Sequence, residues 1–292
     1  MTATAVQEQT NLEKAEKLIK SIGIPAQPKL VLDIDDELKQ AEPDIGKITG
    51  LISQDPALTA KIIRVVNSPF FGTRKQVDSV KQALTILGLT HFKNVVIASA
   101  LSEALRLDQR HSINEPFWNH SILAARIAAF IARRLFRNPA MENEAYIAGL
   151  FHDCAVPLLA QKFPDYLPLA PAALNQQPAA DSLQVEERAY HTNHCAVGYL
   201  VAKSWHLPAA VCQAILFHHS PDVDIHADLL TRKLSACLLL AEHINHSYAA
   251  MLSGASADAS PEAQGLAKAL FELDLAPEDL KDLKEDAYEI LG

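Results

Sequence analysis

Apolar residues recur along this chain at the three-and-four spacing of helices, with no convincing run of the alternation that marks a half-buried strand. Asp55-Pro56 reads as an N-cap followed by proline at the first helical position, with Leu58, Ile62, Val65 and Val66 forming the apolar stripe behind it. Asn67, Ser68, Pro69 and Gly72 are expected to stop that helix. Asp78 is expected to cap the next, whose face carries Val80, Ala83, Leu84 and Leu87 and which ends at Gly88. A longer helix opens at Thr90 and runs towards Leu107. Further helices are expected from near Phe117 to Phe136 and over 142–151, 184–205, 208–217 and 229–252, with two more starting near Pro261 and Pro277. The pattern predicts an all-α protein. The Ala/Pro-rich patch 167–180 reads as a surface loop, and 253–260 (SGASADAS) as a flexible linker.

Composition narrows this picture without changing it. With 292 residues, 49% hydrophobic and 21% charged, the chain can bury a substantial core. Its longest apolar stretches, such as 234–241, fall far short of the roughly 20 residues a membrane span needs. The opening MTATAVQEQTNLEK lacks the basic-then-apolar order of a signal peptide, so a cytoplasmic location and no membrane association are expected. Cys154, Cys195, Cys212 and Cys237 form no CxxC pair and are expected to be buried free thiols. Ten acidic residues against three lysines in 258–292 carry most of the net charge of −9, so the acidity belongs to the tail. The body has no extended basic surface of the kind general nucleic-acid binding requires.

The chemistry lies in ionisable residues that face the wrong way. His120 shares a helical stripe with Ala124, Ile127 and Ile131, and His194 one with Val197 and Val201. His218 follows Val211, Ala214 and Ile215, and Glu242 follows Leu238 and Leu239. His152-Asp153 comes directly after the apolar run 147–151. Burying an ionisable group without a partner costs several kcal/mol, so such groups pair, hydrogen-bond or bind metal. One inward histidine is an ordinary core residue, whereas several converging from separate helices favour a shared metal site. Imidazole with carboxylate suits zinc, manganese or iron rather than calcium. Asn67-Ser68 is read as closing a helix end, Trp118 and Trp205 as core packing, and His91, His111, His191, His206, His226, His243 and His246 as surface or loop residues.

An ordered set of motifs gives the chain a resemblance. Asp55-Pro56-Ala57-Leu58-Thr59, Val66-Asn67-Ser68 with Gly72, ALTILG (83–88) and Trp118-Asn119-His120-Ser121 come first. AGLFHD (148–153), NHCAVG (193–198), Trp205-His206-Leu207-Pro208 and His218-His219 follow. Together the set resembles the HDOD family, the HD-related output domains of bacterial signalling proteins. The resemblance implies an HD-domain-like helical bundle with additional N-terminal helices. The expected division is an N-terminal segment 1–18, an HDOD domain 19–252 (helical part 19–108, HD-like core 109–252), and a linker with acidic capping helices over 253–292.

The resemblance also implies a ligand set. His120 takes the first HD position, His152 and Asp153 the His-Asp pair, and Glu242 the place of the terminal Asp. His194, His218 and His219 take the positions that binuclear HD-GYP relatives add. The implied cofactor is a divalent transition metal (Fe, Mn or Zn), as one ion or two, with a metal-free hydrogen-bonded cluster as the structural alternative; no other cofactor is implied. His152 and Asp153 are the catalytic candidates if the site is active. Two departures speak against phosphodiester hydrolysis: Cys154-Ala155-Val156 stands where HD-GYP phosphodiesterases carry Ile-Gly-Lys, and no GYP motif follows. Pro116 also stands where the binuclear enzymes can supply an extra acidic ligand. The expectation is a stand-alone regulatory protein of signal transduction acting through signalling partners or a small nucleotide or cyclic-dinucleotide ligand. A metal-dependent phosphohydrolase is the alternative.

Overall fold

In the computed structural model, residues 3–67, 76–105, 114–169, 179–219, 227–253 and 263–291 are described, and every regular element among them is a helix. Ser68, Gly72, His111, His226, most of the alanine/proline patch and most of the linker lie outside the described residues. The chain forms two compact units, one from residues 1–24 and 107–292, the other from 25–106.

The smaller unit contains α2 (Lys29–Leu38), α3 (Ile45–Ser53), α4 (Pro56–Val66) and α5 (Val80–Ala104). Asp44 caps α3 by accepting from Lys47 N, and Asp55 caps α4 by accepting from Ala57 N and Leu58 N, as the Asp-Pro signal predicts. Leu58, Ile62 and Val66 form the buried stripe of α4, with Ile34, Ile48 and Ile52 buried on α2 and α3. Asn67 does more than end a helix: its amide donates to Val77 O at 2.7 Å and accepts from Val77 N at 2.8 Å, fixing the chain that enters α5. The cap of α5 is Ser79 rather than Asp78. The Ser79 hydroxyl accepts from Gln82 N, and the Gln82 side chain accepts from Asp78 N, a variant of the reciprocal Ser-x-x-Gln box.

Helix α5 breaks its helical backbone at Gly88, where φ is +72° and ψ 168°. That region is essentially open only to glycine. A Cβ on Gly88 would meet nothing within 4 Å, so Gly88→Ala tests the backbone alone. It is expected to destabilise the protein by about 1–3 kcal/mol, read as a lower chemical-denaturation midpoint. An unchanged midpoint would mean that the helix straightens there at no cost.

The larger unit is built on α6 (Asn114–Phe136), α7 (Pro139–Phe151), α12 (Ala209–Phe217) and α13 (Leu229–Ser253), with α11 (His194–Ser204) against α12. Ala124, Ala125, Ile127, Ala128 and Ile131 of α6 are fully buried, as are Ile147, Ala148 and Phe151 of α7. The small side chains let these two helices approach closely: a Cβ on Gly149 would lie 2.5 Å from Ala125 Cα. The short α8 (Val156–Lys162) and α9 (Tyr166–Leu169) follow α7, and α9 occupies the start of the patch read as a loop.

A single helix over 184–205 is not what forms. The chain makes α10 (Ala179–Tyr190), breaks at His191 with φ +60°, and restarts as α11 with Asn193 as its N-cap. The apolar period continues across the break and hides it, but the Asn193 side chain accepts from Ala196 N and sets the new start.

Helix α1 (Ala3–Ile22) packs on α11, tied by Thr192 Oγ1 donating to Asn11 O and Asn11 Nδ2 donating to Glu187. The tail forms α14 (Ala263–Glu272) on α13, and α15 (Asp279–Leu291) on α6 and α13. Arg126 of α6 donates to the Ile290 carbonyl, and Arg134 pairs with Asp286. All four cysteines are free and buried. No single helix among the described residues is long and apolar enough to cross a membrane.

Candidate metal centre

Two helices of the larger unit end in the same device. His152 follows α7 and donates from Nδ1 to Gly149 O at 2.7 Å; His218 follows α12 and donates from Nδ1 to Ile215 O at 2.6 Å. Each ring satisfies a carbonyl that the helix end would leave without a partner. Each keeps its Nδ1 proton on that carbonyl, so that when the ring is neutral it is the Nε2 lone pair that points inward. A third ring is held differently. His194 opens α11, with its backbone N–H donating to Glu186 Oε2 at 2.7 Å and its Nδ1 2.9 Å from both Glu186 oxygens. Tyr166 donates to the same carboxylate at 2.8 Å. Glu186 is fully buried, and its three donors account for that burial.

These rings surround Asp153, which is 3% exposed. Its Oδ2 lies 3.1 Å from His152 Nε2 and 3.9 Å from His120 Nε2. Its Oδ1 lies 3.4 Å from His194 Nε2 and 3.6 Å from His218 Nε2. His120 Nε2 and His152 Nε2 are 3.2 Å apart, and the Asn245 amide lies 2.9 Å from His120 Nδ1 while donating to His120 O. Glu242 reaches His152 Nε2 at 2.9 Å with one oxygen and His219 Nδ1 at 3.5 Å with the other. All seven residues singled out in the sequence therefore converge.

The donors fall into two groups whose ligand atoms all lie within 4.8 Å of one another: His120, His152 and Asp153, and Asp153, His194, His218 and His219. Asp153 belongs to both. Glu242 stands beside both groups through His152 and His219.

The residues fit a metal. His218 Nε2 and Asp153 Oδ1 are buried, face each other, and make no hydrogen bond. Orphaned buried polar atoms of this kind need an explanation, and a bound ion is one. Three nitrogens and a carboxylate in each other's reach form a donor set suited to a first-row transition ion.

The electrostatics of the metal-free cluster follow from the same geometry. Burial works against the charge on Asp153, but His152, His218 and His194 outweigh it and hold the carboxyl well below its usual range. Burial likewise opposes the charge on Glu242, and His219 and His152 bring it down to about 2. Against burial, Asp153 and Glu242 hold His152 well above the ordinary imidazole value. Cys195 and Asp153 hold His218 at about 9, and Cys195 and Glu186 hold His194 well above its ordinary value. Burial and the neighbouring His152 push His120 down to about 4, and burial with His218 pushes His219 well below its usual value.

Sequence reasoning missed Glu186 and Asn245. Both carried a signal: Glu186 sits three residues after Leu183 and four before Tyr190, and Asn245 one turn after Glu242. Of the seven histidines read as surface or loop residues, His111 and His226 lie outside the described residues; His191 and His206 are exposed, and His91, His243 and His246 are half-buried. Trp205 is buried as expected, and Trp118 packs edge-on against Phe117.

The HDOD domain family matches residues 24–221 of this chain. A provisionally named phosphohydrolase from Shewanella amazonensis SB2B shares the fold over 96% of this chain and 94% of its own, with a TM-score of 0.69 and 22% identity. A provisionally named signal transduction protein from Marinobacter aquaeolei VT8 does so over 97% of this chain and 63% of its own, with a TM-score of 0.69 and 21% identity. An uncharacterized protein of Treponema pallidum (strain Nichols) is 24% identical over 217 residues, which cover 74% of this chain and 41% of that protein. The chain thus spans less than half the length of the curated relatives it matches.

Proposed function

The chain belongs to the HDOD domain family, and from that premise we propose that it is a regulatory protein of signal transduction whose HD-type centre holds a divalent transition metal, iron, manganese or zinc. The two donor groups joined through Asp153 carry this reading. His120, His152 and Asp153, with Glu242 beside them, would hold one ion; Asp153, His194, His218 and His219 would hold a second. Glu186 and the carbonyls of Gly149 and Ile215 orient the rings, as supporting partners do in metal sites generally. The family and the signalling name of the Marinobacter neighbour support a role exercised through partner proteins or a small nucleotide ligand.

The second reading is a metal-dependent phosphohydrolase, favoured by the completeness of the ligand set and the Shewanella neighbour's name. A metal in such a centre lowers the pKa of bound water and can supply hydroxide for attack on a phosphate ester. What weighs against it is local. Val156 stands where a phosphate-contacting lysine would be, and it is fully buried. Among the described residues, the ionic neighbours of Asp153 and Glu242 are imidazoles rather than lysine or arginine.

Elemental analysis of protein purified without a histidine tag tests the shared premise. Iron, manganese or zinc is expected at a substantial fraction of one ion per chain, and neither native metal nor uptake on reconstitution would remove the metal. A panel of phosphodiesters with manganese separates the readings. Turnover above a His152→Ala control would make the protein an enzyme; none is expected.

The imidazole shifts give a further expectation. His152, His194 and His218 are held protonated at neutral pH in the metal-free cluster, so an incoming ion must displace protons. Their raised values stabilise the metal-free fold below the ordinary imidazole value of about 6.5. That stabilisation is lost as the pH rises towards the value of about 9 at His218. The stabilisation conferred by metal is therefore expected to grow from pH 6 to pH 9, read as the melting difference between metal-loaded and chelator-treated protein. A difference that stays flat or shrinks would contradict proton displacement.

A further inference from the structure

The two donor groups that meet at Asp153 differ in how well their atoms satisfy one another. In the group of His120, His152 and Asp153 they already hold each other. His152 Nε2 lies 2.9 Å from Glu242 Oε1, 3.1 Å from Asp153 Oδ2 and 3.2 Å from His120 Nε2. An ion entering there must replace those contacts. In the group of Asp153, His194, His218 and His219, Asp153 Oδ1 and His218 Nε2 are buried 3.6 Å apart, and neither makes a hydrogen bond. Leaving a buried polar atom without a partner is costly, so an ion between these two relieves a penalty and breaks no hydrogen bond of theirs.

The groups also differ in what stands behind the rings. His152 and His218 donate from Nδ1 to the neutral carbonyls of Gly149 and Ile215, and His120 Nδ1 faces the neutral amide of Asn245. His219 Nδ1 faces Glu242 at 3.5 Å, a long contact to a carboxylate that also engages His152. His194 is backed at short range by Glu186, a carboxylate outside both donor groups, with each oxygen 2.9 Å from Nδ1. Glu186 is itself fixed, by His194 N–H at 2.7 Å on Oε2 and by the Tyr166 hydroxyl at 2.8 Å on Oε1. Glu186 and Tyr166 are fully buried. An ionised carboxylate only accepts, so Nδ1 carries the proton and Nε2 is the atom offered to an ion. Anionic support of this kind makes an imidazole a stronger ligand.

We propose that Glu186 and Tyr166 are positioning residues for His194, and that through them the subsite of Asp153, His194, His218 and His219 takes the first transition-metal ion. The subsite of His120, His152 and Asp153 fills second and more weakly. The centre then has a one-ion state in which His120, His152 and Glu242 keep their mutual contacts, and a two-ion state in which those contacts give way. Which state is populated follows metal supply. This inference rests on the metal reading above and assigns an order of loading and the residues that set it.

Zinc titration against a chromophoric chelator tests the order. The full chain, purified without a histidine tag and stripped of metal, is expected to show two dissociation constants at least about tenfold apart. His120→Ala is expected to keep the tighter ion and lose the weaker one. Adding Glu186→Gln to His120→Ala should weaken the remaining ion about 10–100-fold. Tyr166→Phe keeps the carboxylate and removes one of its donors, so it should weaken the same constant by less; it also serves if Glu186→Gln does not fold. Equal constants in the wild type, loss of the tighter ion in His120→Ala, or a tighter constant unmoved by Glu186→Gln and Tyr166→Phe would each overturn the proposed order and leave the metal reading standing. A wild type that takes up one zinc supports the order if that ion survives His120→Ala and weakens in Tyr166→Phe, and overturns it otherwise. No uptake of zinc, manganese or iron would overturn both.

Discussion

Asp153→Asn is expected to empty the centre, leaving less than about a tenth of the wild-type metal after the same purification. The expectation follows from position rather than from charge alone. Asp153 is the one residue shared by both donor groups, with Oδ1 towards His194 and His218 and Oδ2 towards His152 and His120. Asparagine keeps the shape, removes the charge, and turns one oxygen into a donor that cannot bind an ion. Loss of even a supporting residue around a metal ligand costs about 10–100-fold in affinity, so losing a shared ligand should cost more. Glu242→Gln is the comparison, since Glu242 pairs with His152 and His219 but belongs to neither donor group, and should lower the metal content less. The metal-free protein should also lose stability. Removing one partner of a buried ionic cluster commonly costs about 3–5 kcal/mol because the remaining charges stay buried. Wild-type metal content in Asp153→Asn would show that the carboxylate is not a ligand.

The second large effect is expected far from any charge. Gly149→Ala should destabilise the protein by about 3 kcal/mol or more, at the upper end of what overpacking costs. The new Cβ would lie 2.5 Å from Ala125 Cα, 2.7 Å from Ala125 N and 2.9 Å from the Ala124 carbonyl carbon. All three are backbone atoms of α6, so no side chain can turn away and the two helices must separate. Gly198→Ala is the control. There the nearest atom is Ile215 Cγ2 at 3.1 Å, a side-chain atom that can yield, and Cys154 Sγ and the His152 carbonyl oxygen follow at 3.6 Å, an ordinary contact distance. It should cost about 1 kcal/mol, the low end of the same range. Chemical denaturation of both variants measures the difference. Because α6 carries His120 and Gly149 O holds His152, metal uptake should fall with Gly149→Ala as well. A Gly149→Ala protein as stable as Gly198→Ala would mean that α6 and α7 do not pack as closely as described.

Much of this was legible beforehand because helices write their packing into a short period. His120 could be read as inward because Ala124, Ile127 and Ile131 share its stripe, and each of those is fully buried. Asp55 could be read as a cap because side-chain capping is local, decided within four residues. The same locality misled where two signals competed. The apolar period running through 184–205 hid the break at His191, although Asn193 announced the new start. Glu186 and Asn245 were passed over because a single carboxylate or amide on a mixed stripe has many ordinary explanations.

The sequence by itself determined the helical class, the inward residues that could ligate a metal, and the motif order that marks the family, because each depends on residue type and short spacing. Only the tertiary structure decided how those residues meet. Asp153 is the shared partner because four elements far apart in the chain aim their rings at its two oxygens. Glu186 clamps His194 because the chain breaks after α10 and restarts at Asn193, and Cys154, next to Asp153, turns its sulfur to Gly198 O. Distances between donors on different helices are set by how closely backbones such as Gly149 and Ala125 approach, and no local pattern encodes that separation.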